Sequence, residues 1–260
     1  MLPEIKIHTT QKGTRYALFA QQEIISDEIR RTGYWNVYNL EIADIILQGK
    51  KNLRVLDVGA GQGSFTIPLA EKYEGHLFDS FEPVPALNSQ LNANVLLNRL
   101  YNVRCHRNGL SDKTEIIDHC IFDLASMNHG SFALFTGSYV NRSIPIPNEV
   151  DVYDLRQVDD YRFGQVGLIK ITVSGMELEV LRGAAKTIEQ NKNPPLMIEC
   201  WGAEWYADRK KEMLDLVKQY GYKQVLLRRD FIFALSDFDL TKAIEKRINE
   251  QVPGSMVMFK

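Results

Sequence analysis

Asp57, Gly59, Gly61 and Gly63 alternate through the run Val55-Leu56-Asp57-Val58-Gly59-Ala60-Gly61-Gln62-Gly63-Ser64-Phe65. Glycines at that spacing let the backbone approach a ligand closely, because none of them presents a Cβ. A short apolar run before them and a helix start after them are how a doubly wound α/β protein presents a nucleotide-like cofactor to a helix N-terminus. A dinucleotide site wants G-x-G-x-x-G, but Ser64 stands where the third glycine belongs. A side chain there disfavours a pyrophosphate. Asp57 at the strand end repels phosphate and attracts a cation. S-adenosylmethionine (SAM) carries an ammonium, a sulfonium and no phosphate, so residues 57–62, including Ala60 and Gln62, read as a SAM site. Asp57 has a second reading, as a carboxylate that bonds the turn itself.

Three more positions complete that set. Glu82 follows the turn by about 20 residues, where a carboxylate accepts hydrogen bonds from both ribose hydroxyls. The polar loop 108–112, with Asn108, Leu110 and Ser111, falls where an adenine amino group would arrive. Thr172 ends the fourth expected strand, at the methionine end of the cofactor.

Methyl transfer from a sulfonium is an in-line displacement with a good leaving group. Alignment supplies up to ~7–11 kcal/mol, and a general base adds roughly 10²–10⁴-fold for an alcohol acceptor. Glu199 ends the fifth expected strand and faces the presumed substrate crevice, as a base or as an anchor for a hydroxyl or amine. His106, near the end of the third, is a second candidate base and equally a packed strand residue. Trp201 and Trp205 are candidate walls of an acceptor pocket, and Tyr34 and Trp35 candidates to fold over the cofactor. No metal site is expected. Cys105, Cys120 and Cys200 are odd in number and lie far apart without a C-x-x-C pair, which fits a reducing, cytoplasmic compartment.

These residues need a scaffold of alternating strands and helices. The spacing predicts strands at 54–58, 76–81, 102–107, 166–173 and 196–200, with helices at 64–72, 85–100, 175–190 and 204–220 between or after them. An antiparallel hairpin at 222–227 and 230–235 and a helix at 239–249 close the chain. The expected fold is a doubly wound, mostly parallel seven-stranded sheet of Rossmann-like type. Two short helices in residues 27–47 predict an N-terminal helical cap over 1–50, preceding one unit at 51–260. Short strands at 115–122, 131–135 and 143–153 predict a β hairpin or meander inserted at about 114–164. Its Phe132, Phe135, Tyr139 and Arg142 are placed for acceptor selectivity.

The 31 basic and 33 acidic residues leave a net charge of −2, so no basic footprint points to nucleic acid. The pairs Arg30-Arg31 and Arg228-Arg229 and the triplet Arg209-Lys210-Lys211 read as solvated faces. No apolar run approaches the ~20 residues of a membrane span, and Met1-Leu2-Pro3-Glu4-Ile5-Lys6 lacks the apolar core of a leader. Asn193-Pro194-Pro195-Leu196 is similar to the N-P-P-aromatic motif of nucleic-acid amino-methyltransferases. It falls before a strand and ends in Leu, so it reads as a turn entering that strand.

At the fourth strand, Leu168-Ile169-Lys170-Ile171-Thr172-Val173-Ser174-Gly175-Met176-Glu177-Leu178-Glu179-Val180-Leu181-Arg182-Gly183-Ala184 resembles the signature of the FkbM-type methyltransferases, L-K-I-D-V-E-G-x-E-x-x-V-L-x-G-A. Gly33-Tyr34-Trp35, Asp57-Val58-Gly59-Ala60, Phe81-Glu82-Pro83, Leu110-Ser111-Asp112 and residues 195–199 also have counterparts there. The likeness covers roughly residues 27–200. It implies a class I SAM-dependent methyltransferase, usually acting on a hydroxyl of a small molecule, sugar or glycan, with Asp57, Gly59, Gly61, Glu82 and the 108–112 loop at the cofactor. Thr172 and Ser174 depart from the family's acidic positions, and their hydroxyls barely ionise at neutral pH. Either the base lies elsewhere, or the acceptor needs little deprotonation, or the chain is a SAM-binding relative without catalysis. An NAD(P) oxidoreductase is disfavoured by Ser64 and by the lack of a Tyr-x-x-x-Lys pair.

Overall fold

In the computed structural model, which describes residues 4–20, 22–120, 151–202, 204–228 and 230–250, the chain begins with a hairpin. Strands β1 (Ile5–Thr9) and β2 (Arg15–Phe19) pair antiparallel around the Gln11-Lys12-Gly13 turn. The expected helical cap over 1–50 is therefore part β. Helix α1 (Ile24–Thr32) follows, its first amides accepted by the Glu23 carboxylate. Helix α2 (Val37–Leu47) then packs Leu40, Ala43 and Ile46 into the core of the main sheet.

The main body alternates as its apolar runs predict: β3 (Arg54–Val58), α3 (Thr66–Lys72), β4 (Leu77–Phe81), α4 (Pro85–Leu97) and β5 (Val103–His106). Helix α3 starts two residues later than expected. Phe65 occupies its N-cap position and no side chain caps it, so Ser64 does not serve as the cap. A small side sheet follows, in which β6 (Gly109–Leu110) and β7 (Glu115–Cys120) flank β8 (Asp151–Arg156). The antiparallel pairing of β7 with β8 agrees with the ends of the expected insertion. The expected strands at 131–135 and 143–150, and the side chains of Phe132, Phe135, Tyr139 and Arg142, lie outside the described residues.

Strand β9 (Val166–Ile171) is buried along its whole length. The helix expected over 175–190 is two helices, α5 (Glu177–Arg182) and α6 (Ala185–Gln190). The break is made from outside. The Asp159 amide donates to the Gly183 carbonyl, and the Asp159 carboxylate accepts the amides of Lys186 and Thr187, which caps a new helix start. The chain ends with β10 (Leu196–Glu199), α7 (Ala207–Gln219), β11 (Gln224–Arg228), β12 (Phe231–Leu235) and α8 (Phe238–Glu250). Asn193 turns the chain into β10 with φ 59° and donates to the Tyr220 carbonyl at 2.6 Å, so the N-P-P run is a turn.

The seven-stranded sheet has the order β11-β12-β10-β9-β3-β4-β5. Only β12 runs against the rest, pairing antiparallel with both neighbours. Side chains of a strand alternate between faces, and the two cores follow that parity. Leu56, Ile169, Ile198 and Ile232 pack with α5, α6 and α7 on one face. Val55, Leu168, Met197 and Phe233 pack with α2, α3 and α8 on the other. Among the described residues, no helix is long and apolar enough to cross a membrane. Two of the basic clusters are not merely solvated: Arg209 pairs with Glu179, and Arg30 donates to the Phe19 carbonyl as well as pairing with Asp27.

The hairpin is tied to the body through amide side chains. Asn98 exchanges two hydrogen bonds with the Arg15 backbone. Asn94 accepts from the Ala17 amide at 2.6 Å, and Gln90 donates to the Ala17 carbonyl at 2.8 Å. Spaced four residues apart on α4, these amides cover the edge of β2 that β1 leaves open. Asn94 also donates to the carbonyl of Gln62 in the glycine loop at 2.8 Å. We expect Asn94→Leu to strand the Ala17 amide and the Gln62 carbonyl, costing roughly 1–3 kcal/mol for each group. Asn98→Leu, whose bonds to Arg15 are exposed, should cost less. Urea denaturation of both variants tests the ranking, and equal midpoints would refute it.

Candidate active site

The glycine loop leaves β3 and is fastened at once to β4: the amides of Gly59 and Ala60 both donate to the Phe81 carbonyl at 3.0 Å. At Gly59 a Cβ would sit 1.9 Å from the Thr172 carbonyl oxygen, so only glycine lets the loop pass the end of β9. At Gly61, with φ 55°, a Cβ would meet nothing within 4 Å. It would stand in the open space of a cavity that the loop lines.

Asp57 does not line that cavity. Asp57 and Lys170 are register partners on adjacent parallel strands, and their side chains share one face. Lys170 Nζ donates to Asp57 Oδ1 at 2.8 Å and to the Gly59 carbonyl at 3.1 Å, and lies 5.5 Å from the centre of the Phe65 ring. The other carboxylate oxygen accepts from the Thr66 hydroxyl at 2.6 Å, which in turn shares a hydrogen bond with Ser80. The Asp57 side chain is fully buried. Its two carboxylate oxygens are engaged inside the protein by Lys170 and Thr66. Lys170 escaped notice in the sequence. Its signal was a lone cation inside an otherwise apolar central strand.

The cavity encloses about 530 Å³, within the range of small-ligand sites. At one end stand Glu82, Asn108 and Leu110. Glu82 accepts from the Gly61 amide at 2.8 Å and the Val84 amide at 2.9 Å. Burial raises its carboxyl to about 7, against the lowering effect of those bonds. Asn108 is held by Asp154 and Tyr161. Ser111 is buried beyond the cavity, its amide donating to the Arg156 carbonyl, and belongs to the wall's support. Ala60, Gln62 and Thr172 line the middle. Thr172 is oriented by a 3.3 Å bond from its hydroxyl to the Gly59 carbonyl.

On the β10–β12 side the cavity is lined by Glu199, Trp201, Asp230 and Phe231. Trp35 also lines it, packed against the cluster of Ala60, Leu91 and Val95. Glu199 is half-buried. Burial pushes its carboxyl up to about 7, the nearby Glu177 carboxylate adds to the rise, and Lys170 and a hydrogen bond from Trp201 oppose it. Glu177 is wholly buried. It holds the turn after β9 by accepting from the amides of Val173 and Gly175, and accepts from the Tyr206 hydroxyl at 2.6 Å. Glu177 and Asp230 were not singled out from the sequence, since only the fold brings both near Glu199. Tyr34 lies away from the cavity, with the Lys12 ammonium 5.6 Å from its ring centre. The side chain of Trp205 is outside the described residues.

His106 does not reach the site. Its Nε2 lies 2.7 Å from Asp79 Oδ1, and its ring stacks on Phe81 at 4.4 Å. Asp79 also pairs with Arg54. His106 is thus the packed strand residue of its two readings. Among the described residues, no three His, Cys, Asp or Glu side chains group closely enough to share a metal ion.

A family model described as the methyltransferase FkbM domain matches residues 57–223. Methyltransferase 1 of Beauveria bassiana (strain ARSEF 2860) is 27% identical over 143 residues, covering 50% of this chain and 57% of that protein. The crystal structure of methyltransferase FkbM from Methylobacillus flagellatus KT superposes with a TM-score of 0.51 at 21% identity, covering 80% of this chain and 49% of that one. That likeness shows a shared fold. The chain spans about half the length of these two relatives.

The ion pair beneath the loop sets a test. Removing one partner of a buried pair leaves an uncompensated charge, at a cost of roughly 3–5 kcal/mol. Lys170→Met should lower stability by that amount in chemical denaturation. Adding Asp57→Asn should recover most of it, because Asn still accepts from Thr66. A double variant no more stable than the single one would show that the charge is not what matters.

Proposed function

This chain belongs to the methyltransferase FkbM domain family, and from that premise we propose that it transfers a methyl group from SAM to a hydroxyl of a small-molecule or sugar acceptor. One observation carries the proposal: the glycine loop, Glu82, the 108–110 segment and Glu199 line a single cavity. The fit to SAM rests on the open cradle at Gly61 and on the Gln62 Nε2 and Asn39 Oδ1 atoms of the cavity wall, both buried without a hydrogen-bond partner. Glu82 is placed for the ribose hydroxyls, Asn108 and Leu110 for the adenine, and Gly59 to Gln62 with Thr172 for the remainder.

When bound, SAM supplies an electrophilic methyl on a cationic sulfur. The chain's part is to hold the acceptor in line and take its proton. Glu199 is the group for that proton. With its carboxyl raised to about 7, it is a stronger base than an ordinary glutamate and still substantially ionised at neutral pH, which is where general-base efficiency is best. Trp201 orients it through the indole N–H and, with Phe231 and Trp35, offers apolar walls to a ring-shaped acceptor.

The base acts in its ionised form, so turnover should fall as pH drops through about 7 and level off above it. Glu199→Gln should lower kcat by roughly 10²–10⁴-fold and remove that limb, with affinity for S-adenosylhomocysteine (SAH) unchanged by calorimetry. Wild-type kcat in this variant would take Glu199 out of the chemistry. A second reading, a SAM-binding relative without turnover, is favoured by Thr172 and Ser174 at the end of β9. Tight SAM binding with no SAH formed on any hydroxylated acceptor would establish it. Gly61→Val fills the cradle and also forces a β-branched residue into a left-handed φ of 55°, so it should abolish SAM binding, and thermal unfolding of the variant checks that the fold survives. Unchanged affinity would refute the site.

A further inference from the structure

Helix α2 points its N-terminal end at the cavity. Asn36 and Asn39, one turn apart, both line the wall. Asn36 is the N-cap residue, yet its backbone is left-handed (φ 47°) and its side chain makes no capping bond. A helix start without a side-chain cap concentrates unsatisfied N–H groups and a partial positive charge. Asn39 adds an independent sign. Its side chain is only 4% exposed, and its amide oxygen has no hydrogen-bond partner. Oxygen and nitrogen of an amide exchange places by a simple flip, so this group can equally offer an N–H to the cavity. A buried amide left unpaired costs about 1–3 kcal/mol, a cost that a ligand group would relieve. The charged side chains lining the cavity are Glu82, Lys170, Glu199 and Asp230. Only Lys170 is a cation, and it stands on β9, which α2 packs against.

We propose that the N-terminus of α2, together with Asn39, is the seat of a carboxylate, namely the α-carboxylate at the methionine end of SAM. This rests on the reading of the cavity as a SAM site. The site would take that carboxylate through the Asn39 side chain and the opening amides of α2, ahead of the Asn39 amide, which is bonded to the Asn36 carbonyl. The charge of Lys170 is already balanced by Asp57. Glu82, Asn108 and Leu110 mark the nucleoside end in that reading, so the amino-acid end falls to other lining residues, Asn36 and Asn39 among them.

Two ligands separate the ends of the cofactor. SAH carries the amino-acid group and 5′-methylthioadenosine lacks it, and calorimetry measures both. Asn39→Asp is the decisive variant. Asp at the third position of a helix is favourable for the fold, but it repels a ligand carboxylate and competes for the same amides. The wild type should bind SAH more tightly than methylthioadenosine. Asn39→Asp should weaken SAH by tenfold or more and leave methylthioadenosine within about twofold, and Asn39→Ala should fall between. SAH affinity unchanged in Asn39→Asp, or equal losses for both ligands, would overturn the assignment while leaving the SAM reading intact. Failure of the wild type to bind either ligand would sink the SAM reading and this inference together. Thermal unfolding of each variant without ligand checks that the fold survives.

Discussion

The salt bridge between Asp57 and Lys170 is the joint on which the rest of the site is hung. It crosses from β3 to β9, the two central strands, below the point where both end. From Asp57 it extends through Thr66 to the start of α3 and through Ser80 to β4. From Lys170 it reaches the Gly59 carbonyl. Four elements and the glycine loop are therefore positioned by one charge pair. A pair shielded from water repays its desolvation only if its remaining bonding capacity is met, and here two further hydrogen bonds, from Thr66 and to the Gly59 carbonyl, help to meet it. The loop's shape is a consequence of what lies underneath as much as of its own glycines.

The alternation of strand and helix was legible because buried parallel strands are nearly continuous apolar runs, and β3, β9 and β10 are such runs. That Glu82 and Glu199 would line one cavity was legible because strand ends in open α/β sheets converge on one crevice. The failures have a common origin. Asp57 looked like a ligand for a cation, and its cation was Lys170, 113 residues away. His106 looked like a base, and its proton partner is Asp79 on the next strand. Local spacing names the residue types that do chemistry, but pairing across strands decides which of them remain available. The N-terminal hairpin was missed for a simpler reason. Its turn signal, Gly13 between two short β-forming runs, is weaker than the helical pattern that follows it.

The loss of acids at Thr172 and Ser174 looks different in its setting. Thr172 bonds the Gly59 carbonyl, and the buried Glu177 holds the turn beyond it. Carboxylate chemistry has not left this end of the sheet. The nearby Glu177 carboxylate disfavours ionisation of Glu199. The tyrosine bond and two backbone amides keep Glu177 supplied with donors, so the strain of that proximity falls on Glu199.

The amide ladder of α4 recognises β2 through main-chain groups of Arg15 and Ala17 alone. It is indifferent to which side chains the strand carries. What it counts is residues: moving β2 by one position would offer it the wrong carbonyls and turn every side chain of the strand to the opposite face. The strand is thus held to a fixed length through its main chain, while its buried Tyr16, Leu18 and Phe19 hold it to an apolar sequence. Across descendants of this chain, substitutions in β2 would keep positions 16, 18 and 19 apolar, and an inserted or deleted residue between Gly13 and Ala17 would take the Ala17 backbone away from Asn94 and Gln90.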